Sequence, residues 1–324
     1  MPPWQAPRPG IVALAPLSGP DMLTGALRYI RSHWLVILVP SAVAMLVLTA
    51  VQVLLQFRLV STLDVAGGGD PVEVTGPAFL TDVLLFGAVG LVLGLVVFPL
   101  VLSMLYSVLV PAVLGRAVPF GQALREGLRR APALLGLQVV TALIGLVVVG
   151  VGIGLAVVIG VVGDGSGASI LIAVLVGLAA YVAWIWISVT LMLAPPALVV
   201  ERAGVGAALT RSRALVRGAW WRCFGILLLT AVAAAAAMGA LIGIPTSLLG
   251  TGTMMSSISA SPGRAPSASA FSAYFMILGI GTWLVSSVAL PFGVGAVGLI
   301  YVDRRMRTEG YARELAAQAG IPGA

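Results

Sequence analysis

Residues 205–250, VGAALTRSRALVRGAWWRCFGILLLTAVAAAAAMGALIGIPTSLLG, hold the pattern that decides the fold. In the first part, Val205, Ala208, Leu209, Leu215 and Val216 recur at helical spacing while Arg211, Arg213 and Arg217 interrupt them. From Phe224 to Leu249 there is no charged residue. About 20 apolar residues in a helix cross a hydrocarbon core of about 30 Å, and this run is long enough. The stretch therefore predicts a basic amphipathic elbow in the headgroup layer followed by a transmembrane helix.

The same grammar recurs on both sides. Apolar runs of spanning length extend over 34–56, 80–113, 133–162, 170–194 and 274–301. Met22, Leu23, Ala26, Leu27 and Ile30 with Arg28 and Arg31 precede the first of these; Ala123, Leu124, Leu128 and Ala131 with Arg125, Arg129 and Arg130 precede the third. The predicted fold is all-α: a polytopic membrane helix bundle of six transmembrane helices with three cytoplasmic interfacial elbow helices. The chain divides into a Pro-rich cytoplasmic tail (1–20), a six-span domain (21–305) and a cytoplasmic C-terminal tail (306–324).

Composition agrees. The chain is 60 % hydrophobic and 9 % charged, with a mean hydropathy of +1.12, whereas soluble domains are roughly a quarter charged. The net charge of +7 would suggest nucleic acid in a soluble protein. Here the basic residues, all of them Arg, flank spans, so nucleic acid is not an expected partner. With the N-terminus inside, only Arg58 and Arg264 fall on the outer side, among Asp64, Asp70, Glu73, Asp82 and Asp164. Cytoplasmic loops collect Arg and Lys, so both termini are expected in the cytoplasm of a bacterial plasma membrane. No cleavable signal peptide is read before Trp34. The single Cys223 excludes an intramolecular disulfide and a Cys-based metal site.

A threefold internal repeat of elbow, outward span and inward span is suggested by two offsets. An offset of 85 aligns Pro111 with Pro196, Ala112 with Ala197, Gly121 with Gly206, Ala123 with Ala208 and Leu124 with Leu209. An offset of 186 aligns Leu23 with Leu209, Thr24 with Thr210, Arg31 with Arg217 and Trp34 with Trp220. Such units enter and leave by the same face and are parallel repeats. Pro99 is expected to kink the long second run, and Pro40, Pro195, Pro245 and Pro291 offer breaks in other spans. The outer connections, 58–79, 163–169 and 251–272, are read as loops.

Candidate chemistry is sparse. No ionisable residue sits in the middle of a span, where one would mark a transport path or proton relay. Gln52, Gln56, Gln138 and Thr141 are the most polar core residues, with helix packing favoured over a translocation path. His33 is the only histidine and lies beside Trp34, so no metal centre or His-based acid–base site is expected. Gly293, Gly295 and Gly298 spell G-x-G-x-x-G inside an apolar run with no preceding strand. They are read as close helix packing, as are Gly145, Gly150, Gly152 and Gly154.

Three segments together resemble a known bacterial family: Pro9-Gly10-Ile11 through Gly25-Ala26-Leu27, Pro196 to Glu201 followed by Arg211 to Arg222, and Tyr301 to Tyr311. They look like the family named for the membrane domain of glycerophosphoryl diester phosphodiesterase. In the family's naming members that domain is fused to a catalytic one, for which this chain has no matching residues. The resemblance implies a stand-alone membrane domain.

The expected function is a non-enzymatic integral plasma-membrane protein, without cofactor or metal. It would be a scaffold or accessory module that contacts anionic lipid, or a membrane or cytoplasmic protein partner, through its arginine-rich elbows. The candidate contact residues are Arg28, Arg31, Arg125, Arg129, Arg130, Arg211, Arg213, Arg217, Arg222, Trp220 and Trp221. A permease or lipid-handling transporter is the first alternative, and an accessory to glycerophosphodiester metabolism the second.

Overall fold

The structure, a computed structural model, describes residues 7–66, 77–163, 166–260 and 268–321. The described residues contain no strand, and six helices are long and apolar enough to cross a membrane. Asp70, Glu73, Asp164 and Arg264, and with them parts of the three connections read as outer loops, lie outside the described residues.

Helix α1 (Gly19–Ser32) is the first elbow. Ser18 and Asp21 form a reciprocal capping box at its start, with Pro in the first turn, which satisfies amides that a helix leaves open. Helix α2 (Trp34–Ala66) and helix α3 (Pro77–Val113) carry the first two apolar runs of spanning length. Helix α3 is continuous through Pro99 and Pro111. The middle elbow takes another form from the first: its residues are the opening turns of helix α4 (Phe120–Val162), which runs through Pro132 into the third span.

Helix α5 (Gly167–Leu191) returns, and the chain breaks at Met192–Leu193, just ahead of Pro195 and Pro196, before the short helix α6 (Ala194–Val200). Helix α7 (Val205–Val216) is the third elbow; Gly218, at φ 76°, supplies the left-handed turn that separates it from helix α8 (Trp220–Met238). A π-helical turn at Gly239–Gly243 leads into helix α9 (Ile244–Ala260), with Pro245 in its first turn. Helix α10 (Ala268–Glu309) is the last span, and helix α11 (Tyr311–Gln318) follows Gly310.

The spans form an arc rather than a closed ring. Helix α5 lies on α4, α4 on α3, α3 on α2 and α2 on α10, which carries α8 and α9 on its other side; α5 meets α8 only sparsely. Half of the most apolar window of α10 is buried and none of that of α5, so α10 is central and α5 peripheral. Small residues allow the close crossings. A Cβ on Gly295 would lie 3.3 Å from that of Ala26, one on Gly298 2.6 Å from Leu109, and one on Gly127 3.3 Å from the Met104 Cα. The glycine motif of α10 thus serves packing at Gly295 and Gly298, while Gly293 has open space around it. Gly145 and Gly152 likewise admit Trp184 and Ala180, whereas Gly150 and Gly154 face nothing within 4 Å.

The tightest packing lies at the arginine-rich end, where Met22, Tyr29, Leu105, Leu109, Leu198 and Leu299 are almost fully buried. Lipid tails are as apolar as Leu and drive no hydrophobic association, whereas at a water-facing end each such side chain gains about 1.5–3 kcal/mol on burial. Repeat-related positions share this core: Ala112 and Ala197 are both buried, as are Ala123 and Ala208. Residues 7–18 are irregular in backbone yet belong to the core. They form a strap whose Ile11, Val12, Leu14 and Leu17 are buried, with the Ile11 amide donating to Ala112 O at 3.3 Å. The strap can come this close because Gly10 has no Cβ, which would stand 2.3 Å from Ala112 O.

Candidate functional site

Among the described residues, the arginine-rich end carries two ion networks centred on α10, and recesses lined by each elbow. The first network centres on Asp303, on α10, whose side chain is 1 % exposed. Its carboxylate accepts from the Leu17 amide at 2.8 Å and from Arg307 Nε at 2.9 Å, and pairs with Arg222 at 3.3 Å. Arg222 and Arg307 both also donate to the Leu17 carbonyl. A buried carboxylate is tolerated when it is paired and fully hydrogen-bonded, and here the strap completes the shell.

The second network joins α7, α10 and the residue after α6. Arg211 Nε donates to both Glu201 oxygens at 2.9 and 3.0 Å, and its terminal nitrogens grip Glu309 at 2.6 and 2.7 Å. Burial alone would lower the Arg211 pKa, but the bonds to Glu309 and Glu201 outweigh it and hold the guanidinium above its ordinary value. Tyr301 donates to Glu201 at 2.6 Å. The Arg305 guanidinium lies 3.7 Å from the Tyr311 ring centroid and donates to Glu309 at 3.0 Å. This stacking ties α11 to α10, and burial pushes the Tyr311 phenol upward. The other end of α11 is held by Arg116, which donates to Gln318 O at 2.5 Å.

The arginines singled out in the sequence therefore divide. Arg130 pairs with Glu126 at 3.3 Å, Arg211 with Glu201 and Glu309, and Arg222 with Asp303, all within the protein. Arg31, Arg125, Arg129, Arg213 and Arg217 have no side-chain hydrogen bond or ion pair among the described residues, and all five are exposed. Arg28 makes one long contact, 3.5 Å to Ile11 O.

Each elbow lines a separate recess. Arg28 and Arg31 line one of about 480 Å³ together with His33, whose Nε2 lies 3.0 Å from Arg116 O. Arg213 and Arg217 line one of about 590 Å³ at the gap between α5 and α8, with walls of Trp186, Ile187, Leu191 and Trp220. Trp220 is fixed there by its indole bond to Trp186 O at 3.3 Å and by stacking on Phe224, while Trp221 projects, 78 % exposed. Ser212 locks α7 to α5, donating to Thr190 O at 2.7 Å and accepting from the Leu193 amide at 3.2 Å. The third recess is a polar cleft of about 830 Å³ with Arg125 and Arg129 among its lining residues. Among the described residues, no group of His, Cys, Asp and Glu could hold a metal ion.

Asp303, Glu201, Glu309, Tyr301, Arg305 and Arg307 fall in the segments that carry the family resemblance but were not among the candidate contact residues. The available signal was scarcity: few acids occur on this side, and Asp303 with Arg307 and Arg305 with Glu309 stand four apart on one helix.

Six apolar helices with the ion networks gathered at one end define a protein compatible with a multi-pass integral membrane protein. The chain belongs to the family described as domain of unknown function DUF7847, which matches residues 23–302. No curated protein and no solved structure matches it. The family description carries no activity, and nothing in these comparisons bears on the resemblance to the phosphodiesterase membrane domain.

Proposed function

We propose that the protein is a non-enzymatic plasma-membrane scaffold or accessory whose arginine-rich end faces the cytoplasm and holds anionic lipid headgroups. The observation that carries this reading is the division of the elbow arginines. Arg211 and Arg222 are consumed by internal carboxylates, whereas Arg213 and Arg217, and Arg28 and Arg31 on the first elbow, line recesses beside the start of an apolar helix. A juxtamembrane arginine near an anionic leaflet contributes on the order of 1 kcal/mol. Trp220 and Trp221 suit the depth of the headgroup layer, where indoles partition. The excess of arginine at this end supports a cytoplasmic orientation.

The test is to change Arg28, Arg31, Arg213 and Arg217 together to Gln and to measure phosphatidylglycerol retention by native mass spectrometry. Retention should fall well below that of the unaltered protein while thermal stability holds. Unchanged retention would sink the headgroup reading.

A further inference from the structure

The cleft lined by Arg125 and Arg129 differs from the other two recesses in chemistry. Its wall is polar, and it draws on the end of α3, the opening turns of α4, the end of α6, Arg305 of α10 and one side of α11. Four arginines line it, Arg125, Arg129, Arg202 and Arg305, against three carboxylates, Glu126, Glu201 and Glu314. Arg305 and Glu201 are committed to the internal network. Glu126 lies 3.3 Å from Arg130 and 3.9 Å from Arg202. Arg125 and Arg129 remain exposed and unpaired among the described residues.

Tyr106, 4 % exposed, is among the residues that line the cleft. Buried phenols normally find a hydrogen-bond partner, and Tyr29 shows this, donating to Leu105 O at 2.6 Å. The Tyr106 hydroxyl has no partner among the described residues. Its oxygen is not sealed off in the core, so a ligand or water in the cleft can complete it. Gln122 and Gln318 offer further amide donors and acceptors around the same space.

We propose that this cleft binds a phosphorylated polyol: one phosphate on Arg125 and Arg129, and hydroxyl groups on Tyr106, Gln122, Gln318 and the carboxylates. Two free arginines suit a single phosphate. The nearby glutamates accept hydrogen bonds from hydroxyls and repel a second or third phosphate, so polyphosphates are disfavoured. The volume of about 830 Å³ lies in the range of small-molecule sites. The ligand is either a free solute from the aqueous phase or the same group carried by a lipid. The site is separate from the recesses assigned to anionic lipid, and none of its named residues belongs to that test.

The experiment uses the purified full chain in phosphatidylcholine nanodiscs. One arm titrates soluble myo-inositol 1-phosphate, with inorganic phosphate as the control; the other adds phosphatidylinositol to the disc and asks whether it binds or displaces the solute. Binding in either arm that exceeds inorganic phosphate is expected. Tyr106→Phe should weaken it about five- to tenfold, the loss of one hydrogen bond, without altering the phosphate control. Arg125→Gln with Arg129→Gln should abolish solute binding and lower phosphatidylinositol retention to what the elbow recesses hold. A solute that binds alone names the aqueous source; a lipid that displaces it, or whose retention falls when Arg125 and Arg129 are changed, names the membrane source. If neither exceeds inorganic phosphate, or if solute binding and phosphatidylinositol retention are both unchanged by both sets of substitutions, the proposal is overturned. Because Arg28, Arg31, Arg213 and Arg217 are intact in these variants, retention of phosphatidylglycerol reports separately on the lipid reading.

Discussion

Asp303 accepts the amide hydrogen bond of Leu17 at 2.8 Å, joining the strap ahead of the first elbow to the end of the last span. The pair closes the arginine-rich end, because the two arginines that neutralise Asp303 also bind the Leu17 carbonyl. Asp303→Ala leaves Arg222 and Arg307 facing each other without a counter-charge. A loss of about 3 kcal/mol is expected, as when one member of a buried pair is removed. Thermal unfolding in detergent measures it, and an unshifted midpoint would contradict the hub.

Gly10→Ala places a methyl 2.3 Å from Ala112 O and 2.5 Å from Gly115 N, both backbone atoms that cannot swing aside. The expected cost is about 1–3 kcal/mol, borne locally by the strap. Limited proteolysis should cut within residues 7–18 much faster than in the unaltered protein, with the spans intact. Equal cutting rates would mean that the strap is held by other contacts.

Arg211 and Arg213, two residues apart on α7, should behave oppositely. Arg211→Gln removes the grip on Glu201 and Glu309 and is expected to cost about 1 kcal/mol of stability, given its partial exposure, with lipid retention unchanged. Arg213→Gln with Arg217→Gln should do the reverse. Parallel stability and mass-spectrometric measurements on both would expose a mistaken division if the two behaved alike.

Orientation is open to cysteine labelling. Gly167 has nothing within 4 Å of a would-be Cβ, and Arg129 at the opposite end is exposed. In intact cells an impermeant maleimide should modify Gly167→Cys and spare Arg129→Cys; native Cys223 is buried. The opposite pattern would invert the topology.

The Ser18 side chain, then its backbone amide, hold the Asp21 carboxyl below its ordinary pKa. Such a group adds stability that is fully present above the unfolded value, about 3.9, and is lost as pH falls through the lowered folded value. The start of α1 should therefore fray only below about pH 4. Ser18→Ala should raise the Asp21 midpoint in a carboxyl ¹³C titration; an identical midpoint would discount the capping box as its cause.

Much of the architecture was legible because hydrocarbon imposes it: a span must be long, apolar and helical. Phe224 to Leu249 and its counterparts mark this directly. Helix ends were less so. The helix of the first span continues to Ala66 and that of the last to Glu309, since a helix does not stop where the apolar run stops. The junction after α7 rests on Gly218, a local signal, but nothing local distinguishes the middle elbow, where Phe120–Val162 is one helix. The site was half legible. Amphipathic spacing found the arginines, but which of them are paired depends on Glu201, Asp303 and Glu309: Glu309 stands 98 residues from Arg211, and the Leu17 amide that completes the shell of Asp303 is 286 residues away. Periodicity carries no information about such contacts.

The clamp on Leu17 also sets an order of events during biogenesis. Residues 7–18 leave the ribosome long before Asp303 and Arg307, yet their final seat exists only when the last span has been inserted. The earliest segment must wait, not fully seated, for the latest. A chain that stalls before residue 303 can dock Gly10 and Ile11 on the end of α3 but leaves Leu17, the apolar residue held by Asp303 and Arg307, without its seat. Exposed apolar segments of this kind are what proteases and chaperones recognise, so the strap doubles as a mark that distinguishes unfinished chains from complete ones.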